Sequence, residues 1–459
     1  MKFYNRKEEL ELLGKAVKKS PSFIVVRGRR RVGKTALILK VLEENKGIYL
    51  YVDDKKNEKE LLREFEQILK KELALPQYVK IDNWESLYEI IFSHGRIFAF
   101  DEFQRILNVN PSAINQLQKY WDTKGINSKT CLILSGSNVG MVKKIFMESG
   151  APLFKRATHE LALRSFSFEA TREMLRDLGM EDTEEQMRAH AIAGGIPYYC
   201  SILQGQKAVT FEAFLDAILL NKLSPLKNEA RETMVESFGK DHPSYYAVVN
   251  AIAMGKSSKK EIADFAGIEA TSIYPYLYDL RDLTDLIEYQ VPITEEKPWK
   301  SRNGRFVLKD GFFRFWFTYI FKNMSWYEEG NFEGIKSEVS RTFEGFFGFS
   351  FERIAKEFLE KLNSEGKLPA KFSKVGGWWN RKGEDIDIVL LADDAIMLVE
   401  CKWGKNVDGK EILGKLKMKE ALLLHKKQKV YYAVVARGFK IKPDNAFCFD
   451  INDIGRELK

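Results

Sequence analysis

Apolar positions in the first third of the chain fall into short blocks, separated by longer stretches in which they recur at helical spacing. The blocks are Phe23-Ile24-Val25-Val26, Gly47–Val52, Ile97–Phe100 and Cys131–Leu134. Blocks of this length alternating with amphipathic stretches predict a parallel sheet covered by helices over residues 1–165. Helical periodicity dominates 166–235, and is clearest in Phe168–Leu178 and Phe211–Leu220. Three short helical patterns follow, Tyr245–Ala253, Lys259–Ala266 and Thr271–Leu283. A turn-rich segment from Pro292 to Gly304 then leads into a strand-like Arg305–Leu308. The last part opens on an amphipathic helix, Phe349–Leu362. It continues with β-type runs at Ile386–Leu391 and Ile396–Cys401, a lysine-rich helix and the apolar run Val430–Val435. The expected class is α/β, divided at 1–165, 166–238, 239–325 and 326–459, with linkers near 236–244 and 326–340.

Composition narrows the class. The chain has 459 residues, 45% hydrophobic and 30% charged, as expected of a globular protein and not of a disordered one. No apolar run is long enough for a transmembrane helix, so no membrane partner is expected. The first residues lack the apolar core of a signal peptide, and the expected location is cytoplasmic. Four scattered cysteines form no Cys-x-x-Cys pair, which argues against a disulfide framework and a structural zinc site. The net charge is +8, and residues 401–459 hold 12 Lys and 2 Arg against 4 Asp and 3 Glu. A basic end of this kind suits a polyanion partner such as DNA.

Gly28-Arg29-Arg30-Arg31-Val32-Gly33-Lys34-Thr35 matches G-x-x-x-x-G-K-[ST] at every fixed position. An apolar strand precedes it and a helical run beginning at Ala36 follows. Such a loop wraps backbone N–H groups around phosphate oxygens, helped by the helix N-terminus. Lys34 is expected at the β- and γ-phosphates of a nucleoside triphosphate and Thr35 on Mg²⁺. A second acidic site should end a neighbouring strand. Ile97–Phe100 is followed by Asp101, expected to hold the metal through water, and Glu102, expected to polarise the attacking water. After the Cys131–Leu134 strand, Ser137 and Asn138 are candidates to sense the γ-phosphate. Arg156 is a candidate to neutralise transition-state charge.

Taken with Phe3-Tyr4-Asn5-Arg6-Lys7-Glu8-Glu9-Leu10, Phe154-Lys155-Arg156-Ala157 and Gly194-Gly195-Ile196-Pro197-Tyr198, these motifs resemble the archaeal-type P-loop ATPases, an AAA-related group within the STAND class. The resemblance covers roughly residues 1–325. It implies an AAA-type core, a helical lid and a winged helix, and places residues 3–8, Arg6 among them, near the adenine. It also allows a homo-oligomer, with Arg156 acting in its own subunit or on a neighbour. The triple arginine inside the loop adds charge to which the resemblance assigns no purpose.

In the winged-helix candidate, the third helical pattern has no Lys or Arg over 270–280, but has Tyr274, Tyr276 and Tyr278. Duplex contact would then depend on Lys297, Lys300, Arg302 and Arg305 of the wing, with Asn303-Gly304 as its hairpin turn.

Near the C-terminus, Asp387 is followed by Glu400 and Lys402 across a hairpin turn at Ala392–Ala395. Strand alternation puts Glu400 and Lys402 on one face, with Asp387 able to lie across from them. Two acids to hold a metal and a lysine to orient water or help deprotonate it suit Mg²⁺-assisted phosphodiester cleavage. The spacing resembles the PD-(D/E)xK restriction-endonuclease-like superfamily over roughly 340–455, and Glu352 matches that group's helix acid and metal ligand. Ile386 stands where the superfamily's name has Pro, and no Gln lies between Lys402 and Lys427. Trp378, Trp379 and Trp403 are candidates for base stacking, and Lys415, Lys417 and Lys419 for phosphate contact. Two functional expectations follow. One is a Mg²⁺-dependent ATPase coupled to a DNA-binding, nuclease-like domain. The other is an ATP-controlled switch or DNA-binding regulator whose nuclease-like domain is inactive.

Overall fold

The computed structural model describes residues 2–137, 142–205, 210–298, 301, 303–423 and 429–458. The chain divides into two compact units, residues 1–164 with 231–243 and 282–284, and residues 165–230, 244–281 and 285–459.

The first unit is built on five parallel strands: β1 (Ser22–Gly28), β2 (Ile48–Tyr51), β3 (Ile97–Asp101), β4 (Cys131–Gly136) and β5 (His159–Leu163). Their order across the sheet is β2-β3-β4-β1-β5. The four expected strands are present. β5 is an edge strand whose side chains are mostly solvent-facing, so it leaves no apolar block in the sequence. Phe23, Val25, Phe98, Phe100, Leu132 and Leu134 project from one face into a core shared with Leu61, Phe65, Trp84 and Leu117 of the covering helices. Edge-to-face contacts, Phe23 on Trp121 at 5.1 Å and Phe65 on Phe100 at 5.8 Å, fill it. Capping boxes at Asn57 and Asn83 start the helices Glu58–Leu73 and Trp84–Ser93.

The second unit carries an antiparallel pair, β6 (Ile287–Gln290) with β7 (Arg305–Leu308), and a five-stranded sheet. That sheet contains β8 (Lys374–Trp379), β9 (Asp385–Leu391), β10 (Ala395–Lys402), β12 (Lys429–Ala436) and β14 (Phe447–Phe449), in the order β14-β12-β10-β9-β8. β11 (Val407–Asp408) and β13 (Phe439–Ile441) pair separately. The helix Phe332–Ser364 lies against β8–β10, and Gly409–Glu420 lies against β9, β10 and β12. Residues 326–340 are therefore no open linker, because the helix begins at Phe332 and buries Ile335 and Val339. The helices His242–Ala253 and Lys259–Ala266 match expectation. The third is only Tyr274–Tyr278, with Pro275 in its first turn. Asn303-Gly304 is not a hairpin tip but leads directly into β7.

Among the described residues, no helix is long and apolar enough to cross a membrane.

Candidate functional site

β1 is an interior strand of its sheet with Phe23–Val26 buried, and delivers the chain to Gly28 at its carboxyl end. Gly33 then starts the helix Lys34–Asn45 at φ +100°, a conformation that costs a side-chain-bearing residue far more than glycine. Lys34 is 5% exposed and folds back on its own loop. Its Nζ donates to the Gly28 carbonyl at 2.9 Å and the Arg29 carbonyl at 3.1 Å. Burial lowers its pKa, against the pull of Glu102, Asp101 and Glu236.

Thr35, the next residue, donates from Oγ1 to Asp101 Oδ2 at 2.6 Å. Tyr49 OH donates to the same oxygen at 2.8 Å, and Ser135 Oγ donates to Asp101 Oδ1. Burial first, and the Asp101 charge second, raise the Tyr49 pKa. Glu102 follows at φ +54°. Its Oε2 accepts from Gln104 Nε2 at 2.5 Å and from Ser137 Oγ at 2.7 Å, and Arg105 Nε lies 3.9 Å from it. Gln104 is 2% exposed and occupies space beside Gly136, where a Cβ would come within 2.8 Å of its Oε1. A pocket lined by Arg27, Gly28, Gly136 and Ser137 opens between the ends of β1 and β4.

The loop, both acids and Ser137 thus come together. Asn138 lies outside the described residues. Arg6 is buried behind the loop, where its guanidinium donates to the carbonyls of Val32 at 3.2 Å and Arg164 at 2.5 Å, and to Glu9 at 2.8 Å. It braces the loop's backbone. Arg30 pairs with Glu232 at 3.2 Å and Glu236 at 3.0 Å. Arg156 is not brought to this cluster. Its bonds go to Asp122 and to the carbonyls of Pro152 and Phe154, so its charge is already matched locally. Tyr49, Ser135, Gln104 and Arg105 were not anticipated. The first two are polar residues inside apolar strands, the one signal that could have marked them.

In the second unit, β8 and β9 pair with an irregularity. Gly376 faces Val389 and Trp378 faces Ile386, so two steps on β8 match three on β9. The extra residue is a bulge around Asp387, which re-aims that side chain. Asp387 Oδ2 accepts from the Cys401 backbone N–H at 2.7 Å. Glu400 is buried and takes both lysines, Lys402 at 2.9 Å and Lys419, from the last turn of Gly409–Glu420, at 3.0 Å. Burial, then the Asp387 and Asp385 charges, push the Glu352 carboxyl up to about 7. Burial, then Glu400, push Asp387 up to about 6. Burial works against the Lys402 charge, but its bond to Glu400 and the Glu400 and Asp387 charges together outweigh that and raise its pKa.

Among the described residues, no three Asp, Glu, His or Cys side chains converge closely enough to hold a metal ion. The expected metal set of Glu352, Asp387 and Glu400 is not assembled here. The bulge turns Asp387 to the Cys401 amide, and lysines occupy both Glu400 oxygens. Of the aromatic candidates, Trp378 packs in the core with Ile386 and Leu398, and Trp403 packs on Phe347 and Phe351. Of the wing residues, Lys300 and Arg302 lie outside the described residues, and Arg305 stacks on Trp379.

Residues 3–203 match a family described as an ATPase domain predominantly from Archaea. Residues 316–413 match a second family, described as archaeal and bacterial proteins of unknown function. An uncharacterized protein of Methanocaldococcus jannaschii is 34% identical over 458 residues, 98% of this chain and 99% of that one. Among solved structures, the Walker-type ATPase of Pyrococcus abyssi superposes with a TM-score of 0.53 at 18% identity, over 69% of this chain and 96% of its own. That likeness shows the fold: a P-loop NTPase core built on the parallel sheet. The Orc1 protein of Aeropyrum pernix, solved in complex with DNA, reaches a TM-score of only 0.31 at 13% identity, over 67% of this chain and 90% of its own. With a P-loop, a strand-end acid pair and a full-length relative at this identity, the chain belongs to the family of proteins bearing the ATPase domain found predominantly in Archaea.

Proposed function

We propose that the chain is a Mg²⁺-dependent ATPase whose nucleotide cycle serves a DNA-directed, nuclease-like second unit. The observation that carries the ATPase half is the 2.6 Å bond between Thr35 and Asp101, which puts a hydroxyl and a carboxylate at one point beside the loop. A hard divalent cation favours oxygen donors of this kind, so the residues fit Mg²⁺. When bound, the ion supplies charge neutralisation at the β- and γ-phosphate oxygens.

The chain's own residues do the rest. Backbone N–H groups of Gly28, Arg29, Arg30, Arg31, Val32 and Gly33 cradle the phosphates, and those of Thr35 and Ala36 add the helix N-terminus. Lys34 exchanges the Gly28 and Arg29 carbonyls for phosphate oxygens. Glu102 accepts a proton from the attacking water as its oxygen bonds to the γ-phosphorus. The bond from that phosphorus to the β–γ bridging oxygen breaks, and ADP leaves with the electron pair. Ser137 ties this base to the end of β4. On this reading the core spans 1–165, the helical lid 166–238 and the winged helix 239–325, with the nuclease-like domain over 326–459.

In that last domain, the donor set does not fit a preformed metal centre. It does fit an acid–base site. Carboxyls held near neutrality, as Glu352 and Asp387 are, suit a proton acceptor for water attacking a phosphodiester. The P–O bond to the leaving nucleotide would break, and that oxygen would take its proton from solvent. Lys402 and Lys419 set the charge around Glu400.

Two assays test the proposal. ATP hydrolysis should vanish in Lys34→Ala, and plasmid nicking should vanish in Asp387→Ala. Retained hydrolysis in the first variant refutes the ATPase assignment. The second reading, a nucleotide-controlled switch with an inactive nuclease-like domain, is favoured by the two lysines that occupy Glu400. Hydrolysis without any nicking would establish it.

A further inference from the structure

The β6–β7 pair is anchored to the nuclease-like domain from two sides. On one side Glu288 of β6 accepts from Arg353 at 3.0 Å, the residue next to Glu352 on the long helix. On the other side, the segment between β6 and β7 is bonded to β8. Ile293 N donates to the Gly377 carbonyl at 2.9 Å, and Trp379 Nε1 donates to the Asn303 carbonyl at 2.8 Å. Arg381 Nε adds a bond to Asn303 Oδ1 at 2.9 Å.

This double anchorage fixes Arg305, the first residue of β7. Its guanidinium carbon sits 3.8 Å from the centre of the Trp379 ring. Trp379 is paired in register with Asp385, two residues from Asp387. Arg305 is therefore held close to the acids, and the charges of Asp385, Glu352 and Asp387 act on it. Yet among the described residues it makes no ion pair with any of them, and its Nε is buried without a hydrogen-bond partner. A buried Nε–H donor without a partner is costly unless a ligand completes it.

A guanidinium held on Trp379 with a buried, unpartnered Nε–H suits a group that carries negative charge and accepts hydrogen bonds. A phosphodiester is such a group. Lys402 and Lys419 are already engaged with Glu400, whereas Arg305 retains donor capacity. We propose that Arg305 is the phosphate-contacting side chain of the acid–lysine site, binding the non-bridging oxygens of the phosphodiester that this site acts on. The proposal rests on the nuclease-like reading above. It adds a residue from outside the sheet domain, held by Trp379.

The test is binding of a fluorescein-labelled DNA duplex of about 20 base pairs to the full chain in EDTA, followed by anisotropy over a series of salt concentrations. Arg305→Gln should weaken binding about tenfold and lower the salt slope by about 1. Unchanged affinity and slope overturn the proposal, and so does tighter binding, which would make Arg305 a plug. If Arg305→Gln melts early, Arg305→Lys decides. It keeps the charge but loses the planar stack, so weaker binding with the slope preserved supports the role and wild-type affinity overturns it. Plasmid nicking judges the underlying reading separately. A chain that never nicks, but still loses affinity in Arg305→Gln, refutes cleavage and retains Arg305 as the phosphate contact.

Discussion

Thr35 and Asp101 are joined by a 2.6 Å hydrogen bond although they come from different elements, the first turn of the P-loop helix and the end of β3. The bond forms because β4 lies between β1 and β3 and holds their carboxyl ends in one row. Thr35→Val keeps the shape and removes the hydroxyl. Hydrolysis should fall about 10²-fold or more, while nucleotide binding without Mg²⁺ changes little. Calorimetry in EDTA beside a turnover assay checks both halves.

Gln104 and Ser137 act on a single oxygen of Glu102. On the proposed function, they orient Glu102 as the base. Gln104→Leu should lower kcat about tenfold with KM within about twofold of wild type. A matching rise in KM would show that Gln104 contributes to binding instead.

Much of this site could be read in advance. Gly33, Lys34, Thr35, Asp101 and Glu102 announce themselves because a phosphate loop requires those residue types at those places. Gln104 does not, since nothing local distinguishes it from any glutamine in the turn after a strand. The same contrast holds in the second unit. Asp387, Glu400 and Lys402 stand out at the ends of apolar strands, but the bulge that aims Asp387 depends on pairing with β8, a strand whose Gly376-Gly377 and Trp378-Trp379 show no alternation. β5 was hidden by its exposure, and the reach of Lys419 to Glu400 depends on how the helix Gly409–Glu420 lies on the sheet. Arg305 was expected as a wing cation, because the sequence cannot show that Trp379 receives it.

The Glu352 and Asp387 carboxyls lead to a pH prediction. Both are raised, by burial first and by neighbouring acids next, to about 7 and about 6. The native state therefore holds protons that the unfolded chain has released. Their contribution to stability is complete below the ordinary carboxylate range, and is lost as pH rises through about 6 to 7. Glu352→Gln removes the titrating group. Its Tm relative to wild type should rise by about 2 °C or more between pH 5 and pH 8. Parallel melting curves across that range would refute the shift.

Lys419 supplies the last prediction. It donates to both oxygens of Glu400, at 3.0 and 3.2 Å, while Lys402 donates to one at 2.9 Å. Glu400 is buried, so removing a single lysine leaves its charge only partly matched, at a cost of about 1–3 kcal/mol. Lys419→Met should therefore destabilise the chain measurably. Pairing it with Glu400→Gln, which removes the charge that needs matching, should restore most of the loss. A double-mutant cycle by urea denaturation measures the coupling. Additive losses would mean that the helix lysine and the strand acid do not depend on each other, and that Lys402 alone balances Glu400.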